Sequence, residues 1–106
     1  MNEPWRVELT RKAEKDVRGL RPWTAQVLRA IAVLEDNPQR GHILIGSLRG
    51  VRSLEFNLRG GGAYRAAYIA VPDEHVCVVF IVGSHENFYE KAERRYEALK
   101  KLRESP

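Results

Sequence analysis

Apolar and polar positions recur with different periods along the chain, and these changes of period divide it into elements. Residues 5–9 alternate apolar and polar side chains, which predicts a short strand. Two helical segments follow, the first after Thr10, a residue suited to cap a helix, and the second from Pro22 to a stop at Asn37-Pro38. Their predicted buried stripes are Ala13, Val17 and Leu20, then Val27, Leu28, Ile31 and Leu34. Because the connection between them is very short, we expect the helices to pack antiparallel.

From Val51 onward the period is two, which predicts three strands. In the first, one face carries Leu54, Phe56 and Leu58, and the other carries Ser53, Glu55, Asn57 and Arg59. The second strand spans 63–71. The third, 76–82, is apolar on both faces, so we expect it inside the sheet.

A last helix is predicted over 86–102, with Phe88, Ala92, Tyr96 and Leu99 buried. The expected fold class is α+β: an N-terminal strand and an antiparallel helical hairpin packed on an antiparallel β-meander, with a C-terminal helix. Since the chain has 106 residues, a single domain over 1–106 is predicted.

Composition narrows the class of protein without identifying a function. A formal net charge of +4 fits either a solvated basic surface or a polyanionic partner, nucleic acid or acidic protein. The lone Cys77 excludes a disulfide within the chain and lies in an apolar run, where a core thiol is expected. There is no apolar leader, and 76–82 is too short to cross a bilayer, so the sequence predicts a cytoplasmic protein without membrane association.

Arg65 lies within a strand pattern, where an unpaired charge is costly to bury. One interpretation is a cross-strand ion pair with Glu55. The other is a phosphate-binding arginine in an open groove, because Ala63 and Ala67 beside it on the same face are small. Charge and spacing alone leave both interpretations open.

His85 and Tyr89 stand where the third strand gives way to the last helix. Arginine, histidine and tyrosine are the side chains that metal-free phosphodiester chemistry would use. A histidine at a helix start also commonly serves as a cap, so His85 alone is not diagnostic. His85-Glu86 is not followed by the second histidine of a zinc helix, and no cluster has metal-ligand spacing. We therefore expect no metal and no cofactor.

Basic residues of the glycine-punctuated connection over 39–50 and of the strand after it have few acidic neighbours. They are predicted to border the same groove. Helix lysines and arginines are interleaved with carboxylates, which favours solvated, paired faces instead. The predicted RNA-binding residues are Arg49, Arg52, Asn57 and Arg59.

Several short segments together resemble the RelE/ParE superfamily of toxins from toxin–antitoxin pairs, and the likeness covers nearly the whole chain. These are Leu48-Arg49-Gly50, Leu58-Arg59 with Tyr64-Arg65-x-x-Tyr68, Gly83-x-His85, and Phe88-Tyr89. The resemblance implies a cognate antitoxin partner in a toxin–antitoxin hetero-oligomer. It also implies a metal-independent endoribonuclease that cleaves mRNA in the A site of the 70S ribosome, in contact with rRNA, by activating a ribose 2′-hydroxyl against the adjacent phosphate.

By the same resemblance, Arg65 would stabilise the charged phosphate in the transition state, and His85 would be the general acid. Tyr89 would stack on or orient the nucleotide, or assist proton transfer. Some relatives carry lysines where this chain has Glu55 and Asn57, so Glu55 is the candidate general base. The main alternative is a ParE-like inhibitor of DNA gyrase without ribonuclease activity; a non-toxic binding module is a third reading.

Overall fold

A five-stranded sheet forms the centre of the protein, whose structure is a computed structural model describing residues 3–104. The strand order is β1-β5-β4-β3-β2, and every neighbouring pair is antiparallel except β1 with β5, which is parallel. The strands are β1 (Arg6–Leu9), β2 (His42–Ile43), β3 (Arg52–Leu58), β4 (Gly62–Val71) and β5 (Val76–Ser84). The predicted meander is thus β3-β4-β5. The two-residue β2, for which no strand was predicted, pairs with β3 and extends the meander at that edge.

The described part of the chain has three α-helices, which pack on the two faces of the sheet: α1 (Arg11–Arg18), α2 (Thr24–Ala32) and α3 (Phe88–Glu104). The Thr10 hydroxyl accepts a hydrogen bond from the Ala13 N–H at 3.2 Å, which confirms the predicted cap. The sequence predicts Pro22 in the first turn of the second helix, but Pro22 lies in the turn before α2. No helix within residues 3–104 is both long and apolar enough to cross a membrane.

The two faces of the sheet carry separate apolar clusters. Helices α1 and α2 cover one face, where their residues pack on Leu54, Leu58, Ala66, Tyr68 and Val79. Helix α3 covers part of the other face, where Phe88 and Ala92 pack with Ala67, Phe80 and Ile81. The predicted α+β architecture is confirmed. The predicted domain bounds also include residues 1, 2, 105 and 106, which lie outside the described residues.

Leu28 does not belong to the buried stripe of α2, contrary to the prediction, since 46% of it is exposed. The contact stripe is narrower and consists of Val27 and Ile31, continued by Leu34 in the 3-10 turn that follows the helix. Leu28 is rotated by about 100° from Val27 on the helix, which takes it out of this stripe.

A β-bulge in β5 lets neighbouring residues face the same side. Ala67 pairs with Ile81 and Tyr68 pairs with Val79, so Phe80 has no partner on β4. Phe80 and Ile81 consequently both lie in the cluster beneath α3. Strand β5 has neighbours on both sides, as its apolar sequence predicted.

Candidate functional site

Strand register brings Arg65 and Glu55 together on the face that α3 only partly covers. Arg65 pairs with Glu55 on β3 and with Gly83 on β5, and directly opposed residues share a face. His85 lies two residues beyond Gly83, so the alternation of the strand returns it to the same face. Three of the four predicted catalytic residues therefore converge.

An open hollow of about 350 Å³ occupies this uncovered part of the sheet, and a volume of this order suits a small ligand or a single nucleotide. It is lined by Glu55, Phe56, Asn57, Ala63, Tyr64, Arg65 and His85. Its chemically active groups are a carboxylate, an amide, a guanidinium and an imidazole. The hollow thus brings a cation and an anion together with groups that can transfer protons.

The Arg65 guanidinium is held between two partners. Its Nε donates to Glu55 Oε2 at 3.1 Å, and its central carbon lies 5.3 Å from the centroid of the Tyr89 ring. A quarter of the Arg65 side chain and half of the Glu55 side chain remain exposed. The predicted ion pair is therefore present. The same guanidinium also lines the open hollow, so the two interpretations of Arg65 are compatible.

Tyr89 lies in the first turn of α3 and is 40% exposed. Its ring meets the buried Phe88 ring edge to face, with centroids 5.5 Å apart. Phe88 thereby orients Tyr89 from below, and Tyr89 in turn contacts Arg65. Tyr89 supports the wall of the hollow by holding Arg65 and is not itself among the lining residues.

The last helix begins two residues later than predicted, at Phe88, so His85 lies in the turn that precedes it. The Phe88 N–H donates to the His85 carbonyl at 3.4 Å, and Asn87 adopts a left-handed conformation with φ 54°. The expectation from their spacing that His85 and Tyr89 share one helical face is therefore wrong, because His85 is not in the helix. His85 lines the hollow from the turn before α3, whereas Tyr89 lies in α3 and contacts the Arg65 guanidinium.

Of the two small residues beside Arg65, one borders free space and the other does not. Ala63 is exposed and lines the hollow, as predicted. Ala67 is fully buried beneath α3, in the cluster that contains Phe88, so the expected space on that side is absent. The hollow therefore opens toward the β3–β4 turn.

The predicted RNA-binding residues separate into different surroundings. Asn57 lines the hollow. Arg52 does not border it, contrary to our expectation, because it shares the strand face of Leu54 and lies on the helical-hairpin side. Its Nη1 donates to the carbonyls of Gln39 and Gly41, at 3.1 and 2.8 Å, and so supports the loop before β2.

Arg49 and Arg59 are exposed and also lie outside the lining of the hollow. The Arg49 carbonyl accepts a hydrogen bond from the Tyr96 hydroxyl of α3 at 3.1 Å. The Arg59 N–H donates a hydrogen bond to the side-chain oxygen of Gln26 in α2. The Arg59 carbonyl accepts one from the indole N–H of Trp23, just before α2. Of the four predicted residues, the geometry places only Asn57 in the hollow.

Sequence reasoning missed one polar pair close to the site. Asp16 of α1 and Arg95 of α3 form an ion pair with an N···O distance of 2.6 Å, although 79 residues separate them along the chain. Each is one charge among many on an amphipathic helix, so no local pattern marks the pair. Within residues 3–104, no group of three or more metal-ligating side chains lies together.

Residues 7–93 match the family model described as the ParE-like toxin of type II bacterial toxin–antitoxin systems. The chain belongs to the RelE/ParE family of type II toxins. No curated protein matched it in sequence. The toxin is also similar to a solved toxin–antitoxin complex, RelBE2 from Mycobacterium tuberculosis, with 25% identity and a TM-score of 0.68; the match covers 80% of this chain and 95% of the other.

Structures from E. coli show the same fold. A mutant of the toxin RelE in the free state matches with 20% identity and a TM-score of 0.65, covering 85% of this chain and 93% of that one. The toxin of the intact RelBE toxin–antitoxin complex matches with 20% identity and a TM-score of 0.59, covering 76% and 95%. The comparisons thus join a ParE-like sequence family to RelE-like structures.

Proposed function

We propose that this toxin is a RelE-like endoribonuclease that cleaves mRNA on the ribosome without a metal, through attack of a ribose 2′-hydroxyl on the adjacent phosphate. The observation that carries the proposal is the convergence of Glu55, Arg65 and His85 on one open hollow. These are the groups required for a base, a charge stabiliser and an acid in one displacement. The substrate would be mRNA in the A site of the 70S ribosome, and rRNA would form part of the binding surface.

In the proposed reaction Glu55 accepts the proton of the 2′-hydroxyl, and the 2′-oxygen forms a bond to phosphorus. Arg65 stabilises the negative charge that accumulates on the phosphate oxygens. The bond from phosphorus to the 5′-oxygen of the next nucleotide breaks, and His85 donates a proton to that oxygen. The products are a 2′,3′-cyclic phosphate and a 5′-hydroxyl end, with one proton taken up and one released by the protein.

The Arg65–Glu55 ion pair is compatible with both roles. It uses Nε of Arg65, and guanidinium has five N–H donors, so the terminal nitrogens stay available for a phosphate. Within residues 3–104 these terminal nitrogens have no hydrogen-bond partner. An incoming phosphate can also compete with Glu55 for the guanidinium, which would free the carboxylate to act as base.

Tyr89 is proposed to present the outer part of its ring to a nucleobase. One ring face already contacts the Arg65 guanidinium, and 40% of the residue is exposed. A base stacked there would adjoin the arginine that binds its phosphate, and such aromatic stacking contributes about 1–3 kcal/mol per base. Asn57 lines the hollow and would offer amide hydrogen bonds to the same nucleotide.

We also propose a cognate antitoxin as the protein partner, in a toxin–antitoxin hetero-oligomer. The similar chain from M. tuberculosis was solved in a toxin–antitoxin complex, and so was E. coli RelE with RelB. The net charge of +4 favours an acidic partner segment.

A ParE-like inhibitor of DNA gyrase is the second candidate, and the family model that matches the sequence favours it. Inhibition of a protein target by binding needs no proton donor, so this function would not depend on the imidazole of His85. Substitution of His85 should therefore abolish the toxicity of a ribonuclease but not that of a gyrase inhibitor.

The test is induction of the wild-type toxin, Arg65→Ala and His85→Ala, followed by growth measurement and mapping of mRNA 5′ ends. Arg6→Ala, an exposed arginine on β1 with its own carboxylate partner Glu8, is the matched control. We expect new mRNA ends and growth arrest with wild type and with Arg6→Ala. With Arg65→Ala and His85→Ala, we expect neither the new ends nor the growth arrest. Gyrase-linked DNA breaks with intact mRNA would support the second candidate instead.

A further inference from the structure

Strand β5 has an open edge just before the proposed catalytic turn. Its neighbour β1 ends at Leu9, which pairs with Val79, whereas β5 continues to Ser84. Beyond Val79, no strand within residues 3–104 pairs with β5 on that side, and the backbone groups of an unpaired strand edge need other hydrogen-bond partners. The segment concerned includes the bulge at Phe80 and leads directly into Gly83 and His85.

Asp16 and Arg95 supply those partners. The Val82 N–H donates to Asp16 Oδ2 at 2.9 Å, and Arg95 Nη1 donates to the Phe80 carbonyl at 3.1 Å. The two side chains also join each other, with Arg95 Nη1 and Nη2 donating to the two Asp16 oxygens at 2.6 and 3.1 Å. This bidentate pair replaces the missing strand along the edge.

The pair connects layers that lie on opposite sides of the sheet. Asp16 belongs to α1, on the hairpin side, and Arg95 belongs to α3, on the side of the hollow. Arg95 lies six residues beyond Tyr89 on the same helix. The pair therefore fixes both structures that bring His85 and Tyr89 to Arg65: the end of β5 and the axis of α3.

We propose that Asp16 is a positioning residue for the proposed catalytic turn, acting through Arg95 and the open edge of β5 to fix His85 against Arg65. This inference rests on the proposed function for its catalytic consequence. It adds a residue from α1, which contributes no side chain to the hollow. Less than a quarter of either side chain is exposed, so water competes weakly for these hydrogen bonds.

The experiment uses Asp16→Asn, which retains an oxygen for the Val82 N–H and removes the charge that Arg95 contacts. Glu97→Gln is the matched control: the same carboxylate-to-amide change, at an exposed ion pair with Lys100 on α3. Cleavage of mRNA on purified programmed ribosomes is measured as kcat and KM. The imidazole signals of His85 are followed by NMR in the isolated toxin.

The expected result for Asp16→Asn is a kcat lower by about 10- to 100-fold, the size of effect that slight misplacement of a catalytic group produces, with KM changed less than about twofold. The His85 imidazole signals should shift in Asp16→Asn and remain in place in Glu97→Gln. Arg95→Lys, which keeps the charge but not the bidentate geometry, should fall between wild type and Arg95→Ala.

An unchanged kcat, or unmoved His85 signals in a folded Asp16→Asn protein, would overturn the proposal. If Asp16→Asn does not fold, Arg95→Lys provides the same two measurements. Should the wild-type toxin cleave no RNA, the proposed function fails. The His85 signals then still decide whether Asp16 positions the turn.

Discussion

The two faces of the sheet differ in how completely helices cover them. On the hairpin side, Leu54 and Leu58 of β3 and Ala66 and Tyr68 of β4 are all buried beneath α1 and α2. On the other side, the alternate residues of the same strands change character along their length. Ser53 and Ala67 are buried near α3, whereas Glu55 and Arg65 lie two residues further along and line an open hollow.

This difference shows what separates a core face from a site face in this fold. The register of β3, β4 and β5 decides which side chains share a face, and the position of α3 decides which part of that face is dry. Helix α3 begins at Phe88, and the strand positions beyond its first turn stay open to solvent. The proposed catalytic groups occupy that remaining strip.

Phe88 and Tyr89 are neighbours at the boundary between the two environments, and their substitution should have the largest difference in effect. Phe88 is 1% exposed, so Phe88→Ala should lower the free energy of unfolding by about 3–5 kcal/mol. Tyr89→Ala should leave a stable protein with impaired cleavage. Chemical denaturation of both variants checks the first expectation, and equal loss of stability at the two positions would contradict it.

His85 tests the open strip without disturbing the core. His85→Ala should lower mRNA cleavage by about 100-fold or more, the usual contribution of a positioned proton donor, while stability changes by less than about 0.5 kcal/mol. His42→Ala, at an exposed histidine on β2 outside the hollow, is the matched control. Equal cleavage by both variants in a ribosome assay would remove His85 from the site.

Tyr68 tests the sealed face. Its hydroxyl donates to the Pro38 carbonyl at 2.7 Å and accepts from the Gly41 N–H at 2.9 Å. Tyr68→Phe leaves both backbone groups without this partner and should cost about 1–3 kcal/mol of stability, measured by thermal or urea unfolding. A change within experimental error would show that water or a shift of the loop replaces these bonds.

The same variant has a pH signature. Burial raises the pKa of Tyr68, so the folded state keeps a proton that the unfolded state releases. The resulting stabilisation is complete below the usual tyrosine pKa of about 10 and is lost as pH rises through the folded value. Tyr68→Phe should therefore lose less stability above that pH than wild type. Burial also raises the pKa of the Cys77 thiol to about 11. The loss of stability that this thiol causes at alkaline pH should persist in Tyr68→Phe.

Substitution of Glu55 should change stability only slightly, because its ion pair with Arg65 is half-exposed and such pairs contribute about 0–1 kcal/mol. Glu55→Gln frees the guanidinium, so KM for RNA should fall by up to about fivefold. The rate kcat should also fall, because the amide cannot serve as base. Glu14→Gln, an exposed site on α1, is the control. A Glu55→Gln enzyme with unchanged kcat would exclude Glu55 as the base.

Local pattern was enough to predict most of the fold and the cross-strand neighbours of Arg65. Alternation at Leu54, Phe56 and Leu58 identified the hairpin face, and the same alternation assigns Arg52 to it. We had instead grouped Arg52 with the groove by charge, which is why its predicted placement was wrong. Within a strand, the alternation of side chains predicts the face on which a residue lies better than its charge does.

The remaining features depend on contacts between distant parts of the chain. The bulge at Phe80 changes the face parity of β5 only because Ala67 and Tyr68 pair across it. The Asp16–Arg95 pair exists only once α1 and α3 meet at the edge of β5. The late start of α3 does have a local signal, because asparagine at position 87 tolerates the left-handed conformation found there.

The chemistry of the cleaved ends shows whether the toxin cuts RNA through its 2′-hydroxyl. Purified toxin is incubated with mRNA-programmed 70S ribosomes, and the ends of the products are identified by mass spectrometry. Attack by the 2′-hydroxyl predicts 2′,3′-cyclic phosphate and 5′-hydroxyl ends, which should be lost in Arg65→Ala. Ends with a 5′-phosphate, or no cleavage by the wild-type toxin, would contradict the account.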